Sequence, residues 1–437
     1  MRDFRFILDS RNNQTVELGG KKTDSHLYRK RRQSSRKINM RHFNQVIRVD
    51  AEHQQAEVEG MTTYYDLVEE TIKHGLLPKV TPELRTITVG GAISGVAAES
   101  SSFKYGLVHE TVREMEVLTG TGEVVLCTPK NEHDDLFFGL PNSYGTFGYI
   151  LKARIDLMPA APYVKLAHHR FKNLTTYFDR LNDLTKQPDI DFLDGAIFSD
   201  DTMIITVGRF VKDAPYTSNY RSGGVYYKSM QSRAEDYLTT KDYIWRWDAD
   251  SFWSTRGTPL QNKLFRKLFG EKLLRSDYLH KIVKVRNKIR HPYHRWRGIR
   301  QEEIIQDVGI SIYRCAQFVD WFAKEVGIYP LWICPVTSVR ARGSYPLFEL
   351  TEEIHCDIGF FSTKRHDDQT LKNWHYNKLV ERQVDEMEGI KCLYSNSFYT
   401  KDRFWEIFNG AAYFKIKQKY DPQGTFLNLY QKCVLNR

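Results

Sequence analysis

The sequence predicts an α+β fold made of two unlike parts. Three observations carry this. From Val46 onward, short strands pair into hairpins around turn residues. Helices with identifiable caps stand between those hairpins. Beyond Tyr163 the composition shifts, and apolar strands such as Met203 to Val207 alternate with helical stretches. At 437 residues, 41% hydrophobic and 27% charged, the chain has material for a large core and more than one domain.

Val46 to Val49 and Gln55 to Val58 alternate around Asp50 to His53, a hairpin. Thr62 or Thr63 caps a helix carrying Tyr64, Leu67, Val68 and Ile72, which Gly75 ends. A glycine- and serine-rich segment follows from Thr81 to Gly106. The second hairpin joins Val112–Leu118 to Glu123–Cys127 through Thr119-Gly120-Thr121-Gly122. A short helix near Asp134 to Phe138 leads to the glycine turn Leu140 to Ile150. A strand through Ala153, Ile155 and Leu157 closes the unit before Pro159-Ala160-Ala161-Pro162. In the second part, Trp245, Trp247 and Trp253 cluster with Tyr243 and Phe252, either filling a core or lining a broad apolar pocket. Strands are expected at Ile328 to Val336 and Ile354 to Phe361. One helix is expected from Asp402 to Lys419, capped by Thr400 and stopped at Asp421-Pro422.

The net charge of +10 is concentrated. Residues 263–300 hold 13 Lys and Arg against Glu271 and Asp277, a local +11 that leaves the remainder near neutral. Leu264, Phe265, Leu268 and Ile282 are interleaved with these cations. An anionic membrane surface, a nucleic-acid backbone and a solvated helix face all fit that pattern. Mean hydropathy is low, at −0.53, and no apolar run approaches a membrane span. The polar N-terminus is not a secretory leader. The expected location is therefore cytoplasmic, with peripheral membrane contact through the basic stretch 263–300 as a further option. Six scattered cysteines without a CxxC pair read as reduced, mostly buried thiols.

Thr81 to Gly106 packs four glycines, four serines and three threonines into a short span. Such a surface suits a phosphate or a dinucleotide, and equally a serine-rich loop. Other motifs fail. Gly19-Gly20-Lys21-Lys22-Thr23 resembles the end of a P-loop, but Thr15 stands where its first glycine belongs. There is no strand–GxGxxG–helix, and His291 and His294 lack a third ligand, so no metal site is expected.

Read together, GLLPKVTPE, TITVGGAISG, ESSSFKYG and NSYGTFGYI resemble the FAD-binding domain of the vanillyl-alcohol oxidase superfamily (PCMH type). VTPELRTITVGGAISGVAAESSSFKYGL narrows the resemblance to the delta(24)-sterol reductases and their bacterial relatives. It continues through YIWRWDADSFW, VGIYPLWICPV and LYSNSFYTKDRFWEIFNGAAYFKIKQKYDP. The resemblance implies a PCMH-type FAD-binding domain over residues 1–160, a central α+β substrate (cap) domain over 161–395, and a C-terminal segment, 396–437, returning to the flavin.

It also implies a site. Pro82, Glu83, Thr88, Val89, Gly90, Gly91, Ala92 and Gly95 would wrap the pyrophosphate and ribityl chain, with backbone amides as donors. Glu99, Ser100, Ser101, Tyr105 and Gly106 would lie beside the isoalloxazine, and Ser143, Gly145, Gly148 and Ile150 at the adenosine end. Lys22, Thr23, Ser25 and His26 stand where the superfamily's first phosphate loop belongs. No histidine has a persuasive context for covalent attachment, His26 and His109 included, so the FAD is expected to be non-covalent. The implied reaction reduces a carbon–carbon double bond of a sterol-like or other lipid substrate with NAD(P)H as donor; Tyr413 and Lys415 are the candidate proton donors. The alternatives are an FAD-dependent oxidase or dehydrogenase acting on an alcohol carbon of a sugar or lipid, and a basic lipid- or nucleic-acid-binding protein with a vestigial cofactor site. With the reductase reading, no nucleic acid is expected as a partner.

Overall fold

A computed structural model describes residues 16–19, 36–282, 285, 292, 296–341, 343–366, 368 and 370–435. Two large sheets and a separate two-stranded pair organise them, and the first large sheet is built from local hairpins. Strands β1 (Val16–Gly19) and β2 (Arg36–Asn39) form a parallel pair. Strands β3 (Val46–Asp50) and β4 (Gln55–Glu59) make the expected first hairpin. Helix α1 (Tyr64–Thr71) starts where the Thr63 hydroxyl accepts the Asp66 N–H, runs on as a 3-10 turn, and ends at Gly75 with φ 67°. Strand β5 (Leu76–Pro78) and helix α2 (Val89–Ser94) follow. Strands β6 (Val112–Thr119) and β7 (Val124–Cys127) form the second hairpin, and helix α3 (Asp134–Gly139) precedes the long strand β8 (Gly148–Pro159). The sheet order is β3-β4-β8-β6-β7, with β5 also paired to β8.

The second sheet is antiparallel and has eight strands: β9 (Tyr163–Phe171), β10 (Phe192–Ser199), β11 (Thr202–Val211), β12 (Glu235–Thr239), β13 (Arg300–Ser311), β14 (Leu331–Thr337), β15 (Ile354–His366) and β16 (Ile390–Lys391). Their spatial order is β12-β9-β11-β10-β14-β15-β13-β16. Because side chains alternate along a strand, each strand feeds two cores. Leu193, Ile197, Ile333, Val308, Ile358 and Phe360 face one side, where they pack with helices α4 (Leu174–Thr185), α6 (Cys315–Glu325) and α7 (His375–Glu386). Phe192, Ala196, Trp332 and Cys334 face the other way and share a core with the first sheet and its helices. Between α4 and α6 in the chain lies helix α5 (Lys263–Leu273), capped by Asn262.

The C-terminal segment departs from the single helix expected. It forms α8 (Lys401–Ile407), capped by Thr400, and α9 (Gly410–Tyr420), with a break at Asn409. Asn409 takes a left-handed φ of 45°, and its side chain caps α9 through the Ala412 N–H. With α10 (Leu429–Cys433), this segment clips onto the first sheet's unit. The Lys417 ammonium donates to Thr146 O at 2.6 Å, to Asp421 at 2.5 Å and to Phe426 O at 2.9 Å. The Tyr420 hydroxyl reaches Asp135 at 2.7 Å. The six cysteines are all buried and unpaired as disulfides, and Trp245, Trp247 and Trp253 are core residues.

Candidate flavin site between the two sheets

Helix α2 is where the glycine segment meets the first sheet. The Thr88 hydroxyl accepts the Gly91 N–H at 3.3 Å and caps the helix. The Val89 N–H donates to Thr62 O at 2.9 Å and the Gly90 N–H to Gly60 O at 2.8 Å. A side chain at Gly90 would stand 3.0 Å from that carbonyl, so the glycine permits close backbone packing. These three amides were expected to donate to phosphate, and the fold uses them internally instead. Val89, Ala92 and Pro82 are buried, Thr88 nearly so, while Gly91 lies exposed and Gly95 closes the helix.

The serine tail folds inward. Glu99, 2% exposed, accepts from both the amide and the hydroxyl of Ser100. The Ser100 hydroxyl also meets Tyr243 at 2.9 Å, and Ser101 donates to Lys79 O at 2.7 Å. Tyr105 is half-buried, and Gly106 turns the chain at φ 74°. In the second glycine turn, Asn142, Tyr144 and Gly145 all take positive φ. Ser143 is buried there, Gly148 opens β8, and Ile150 lies within it opposite Val117. Lys22, Thr23, Ser25 and His26 lie outside the described residues.

Across the interface, Arg246 ties the serine tail to the second sheet. Its guanidinium donates to Glu99 at 2.9 Å and to Asp194 of β10 at 2.7 Å, stacked 4.0 Å over the Tyr243 ring. Asp194 also accepts from Trp247 at 3.1 Å and Trp332 at 3.4 Å. Arg246, Glu99 and Asp194 are all at least 98% buried. Burial pushes the Glu99 carboxyl up, and Arg246 only partly offsets it. Two residues on, Asp248 accepts from the Arg85 backbone at 3.1 Å and its side chain at 2.6 Å. Asp250 is gripped at 2.8 and 2.9 Å by Arg266 of α5. The sequence WRWDAD is thus a ladder of alternating buried charges, a role the sequence reading did not assign.

Three further carboxylates interact with one another: Glu83 from the segment before α2, which also feels Arg246, Asp307 of β13 and Asp357 of β15. Burial pushes Glu83 and Asp357 each up to about 8, and Asp307 well above the usual carboxylate range. Like charges add to this, Asp357 acting on Asp307, Glu83 on Asp357, and Glu99 and Asp307 on Glu83.

Tyr413 and Lys415 do not converge on this region. Tyr413 is fully buried in α9 between Phe147 and Trp405, with its hydroxyl accepting the Leu429 N–H at 3.0 Å. Lys415, two residues along, is exposed on the outer face. A two-residue step turns a helix by more than half a revolution, which is why the pair splits. His109 is buried against Tyr345, and burial holds its imidazole down at about 3, so it is neutral.

The residues present fit a flavin dinucleotide. The buried atoms Ser143 Oγ, Asn142 Oδ1, His109 Nδ1, Asp194 Oδ1 and Arg246 Nε have no hydrogen-bond partner, and buried polar atoms are ordinarily satisfied. Two of them belong to the second glycine turn, and two to the Arg246–Asp194 pair that holds the serine tail.

Comparison with known proteins agrees. Residues 19–128 match the FAD binding domain family. Over 403 residues the chain is 28% identical to a Delta(24)-sterol reductase of Homo sapiens, covering 89% of this chain and 75% of the relative. It is 26% identical over 452 residues to a Delta(24)-sterol reductase of Pisum sativum, covering 92% and 76%. Cytokinin dehydrogenase 1 of Arabidopsis thaliana is 30% identical over 172 residues, which is 38% of this chain and 30% of that one.

Proposed function

From the premise that this chain is an FAD-dependent oxidoreductase similar to delta(24)-sterol reductases, we propose that it reduces a carbon–carbon double bond of a sterol-like or other lipid substrate, with NAD(P)H as electron donor. One observation carries the reading. The likeness to delta(24)-sterol reductases spans 89–92% of the chain, both sheets included, whereas the likeness to a cytokinin dehydrogenase stops at 38%. What is shared with the reductases therefore includes the second sheet, which is where a substrate domain over residues 161–395 would lie.

In this reading the FAD is held without a covalent bond by the loop 81–106, the turn 143–150 and the N-terminal Lys22, Thr23, Ser25 and His26, with the C-terminal segment 396–437 bracing the turn. When bound, it supplies two-electron hydride chemistry. The chain's own residues bind and orient it: Ser143 Oγ and Asn142 Oδ1 offer unpaired polar atoms, and the Arg246 guanidinium fixes the serine tail. Trp332 and Phe361 of the second sheet, with Phe252 packed against both, give the interface an apolar character that suits a lipid body.

Substrate delivery from a membrane belongs to the same proposal. Helix α5 turns Arg266 inward to Asp250 and leaves Leu264 and Leu268 68% and 67% exposed beside Lys263 and Lys267. Exposed leucines flanked by cations suit the headgroup region of an anionic bilayer. Among the described residues no helix is long and apolar enough to cross a membrane.

The test is anaerobic. NADPH or NADH should bleach the flavin of the purified protein, and an unsaturated sterol should then restore its colour and yield a product two hydrogens heavier. Bleaching by an alcohol substrate alone, with none by either nicotinamide, would overturn the reading in favour of an oxidase. Binding to vesicles containing anionic lipid, and not to neutral ones, is expected; equal binding to both would remove the membrane contact.

A further inference from the structure

Strands β13 and β15 contain the same short pattern, Asp307-Val308-Gly309 and Asp357-Ile358-Gly359. They pair antiparallel so that Asp307 lies opposite Gly359 and Asp357 opposite Gly309. Each aspartate thus faces the other strand's glycine. Val308 and Ile358 point into the core under α4, α6 and α7, so alternation turns both aspartates toward the first sheet. Gly359 is required there, since a Cβ on it would stand 2.7 Å from Asp307 Oδ1 and 3.3 Å from Trp332, whereas one on Gly309 would meet Ile390 at 3.1 Å. Glu83 joins the pair from the other side of the interface.

These carboxylates are poorly compensated. Asp307 Oδ1 and Asp357 Oδ1 are sealed from solvent without a hydrogen-bond partner, and so is Oδ1 of the fully buried Asp194 on the same face. The groups facing the pair are Glu83, Cys334 of β14, Cys392 beyond β16 and Tyr394, with Glu99 beside Glu83. Two cations stand by, and both are engaged: Arg246 by Glu99 and Asp194, Lys391 by Glu381 at 2.6 Å. Among the described residues, no three acidic, His or Cys side chains are grouped to hold a metal ion. A proton is what remains to neutralise the set.

We propose that the Asp307–Asp357 pair, with Glu83 across the interface, is the acid that protonates the substrate carbon opposite the one receiving hydride. This rests on the double-bond reduction proposed above. A bound flavin, reduced by NAD(P)H, would supply the hydride and with it the two electrons of the first new C–H bond. The π electrons of the double bond form the second, taking a proton from a carboxyl O–H; the carboxylate left behind regains its proton from water. Two carboxyls on one sheet face resist ionising together, and desolvation and the neighbouring carboxylates push both upward, the direction the acid role needs. Asp307, Asp357 and Glu83 are each half-buried, which leaves a path back to solvent.

The test uses the FAD-loaded protein and the variants Asp307→Asn, Asp357→Asn and Glu83→Gln. Infrared spectra at neutral pH should show protonated-carboxyl bands that shift in D2O, with intensity lost in each variant, a readout that needs no turnover. In the two aspartate variants flavin reduction by NAD(P)H should stay within about twofold of the parent rate, while transfer to an unsaturated sterol falls about 100-fold or more in at least one of them. The parent's transfer rate should decline above pH about 8. Absence of the bands, or transfer within about threefold of parent in all three variants, overturns the proposal. If the parent itself transfers nothing to any double bond, the functional reading fails and takes this one with it. Because Glu83 lies outside both sheets, its variant keeps the test open should an aspartate variant misfold.

Discussion

Replacing Arg246 by Met should destabilise the protein through a cost that two further substitutions remove. Arg246 is 1% exposed and neutralises two carboxylates, Glu99 at 2.9 Å and Asp194 at 2.7 Å, that are themselves 2% and 0% exposed. Removing one member of such a buried set leaves uncompensated charge and costs about 3–5 kcal/mol, whereas neutralising the whole set is often harmless. With an unfolding entropy of roughly 2.1 cal/mol/K per residue, the 437-residue chain gives about 0.9 kcal/mol/K, hence a Tm loss of about 3–5 °C for one cooperative unit. The drop is larger if the parts unfold separately. Thermal unfolding followed by tryptophan fluorescence reads it directly, since Trp245 and Trp247 flank the site. The triple variant Arg246→Met, Glu99→Gln, Asp194→Asn should recover at least half of the loss. A single variant that loses under about 1 °C, or a triple variant that loses more than the single, would refute the charge account and leave only packing.

Other outcomes follow from the same geometry. Glu83 and Asp357 keep their protons up to about pH 8 when folded, while the unfolded chain sheds them near its ordinary carboxylate range, so folding stability should fall as pH rises between those limits. The slope is about 1.4 kcal/mol per pH unit per group, and urea midpoints should flatten in Glu83→Gln; a parent midpoint that rises with pH contradicts this. Arg266→Gln should leave Asp250 unpaired and speed proteolytic cleavage around α5, read by mass spectrometry. Lys417→Met should release the C-terminal segment, seen as faster amide exchange over residues 410–433, because Thr146 O, Asp421 and Phe426 O lose their common donor. Asn409→Ala should cost about 1–2 kcal/mol in chemical denaturation, combining a lost cap with a left-handed φ that alanine disfavours.

What could be read from sequence is what is set locally. Thr63 and Gly75 bound α1 because a cap and a left-handed stop act within a turn of the residues they serve. The two N-terminal hairpins announce themselves through alternation and turn chemistry for the same reason. Asn409 breaks the C-terminal helix through a left-handed conformation that asparagine adopts only when its surroundings favour it, and GAAYFKIK gives no other sign. The amides of Val89 and Gly90 look available in the chain, yet Thr62 and Gly60, about thirty positions earlier, supply their acceptors. Trp245 and Trp247 left core and pocket open in the sequence, and their burial places them in one core with Phe252 and Trp332.

The pattern Asp-x-Gly shows most plainly where sequence reading stops. Neither copy is informative alone, since an aspartate two residues before a glycine is ordinary turn chemistry. Only the register between β13 and β15, fixed across 50 positions, sets each aspartate against a glycine and both toward the first sheet. A one-residue slip of β13 would send Asp307 into the core under α4, α6 and α7 and bring Val308 to the interface, a loss on both faces at once. The apolar residues that hold the register are therefore also what holds the carboxylates in place. It follows that Val308→Asp, which removes that preference from β13, should damage the carboxyl bands and the fold together. Asp357→Asn should abolish its band with the fold intact.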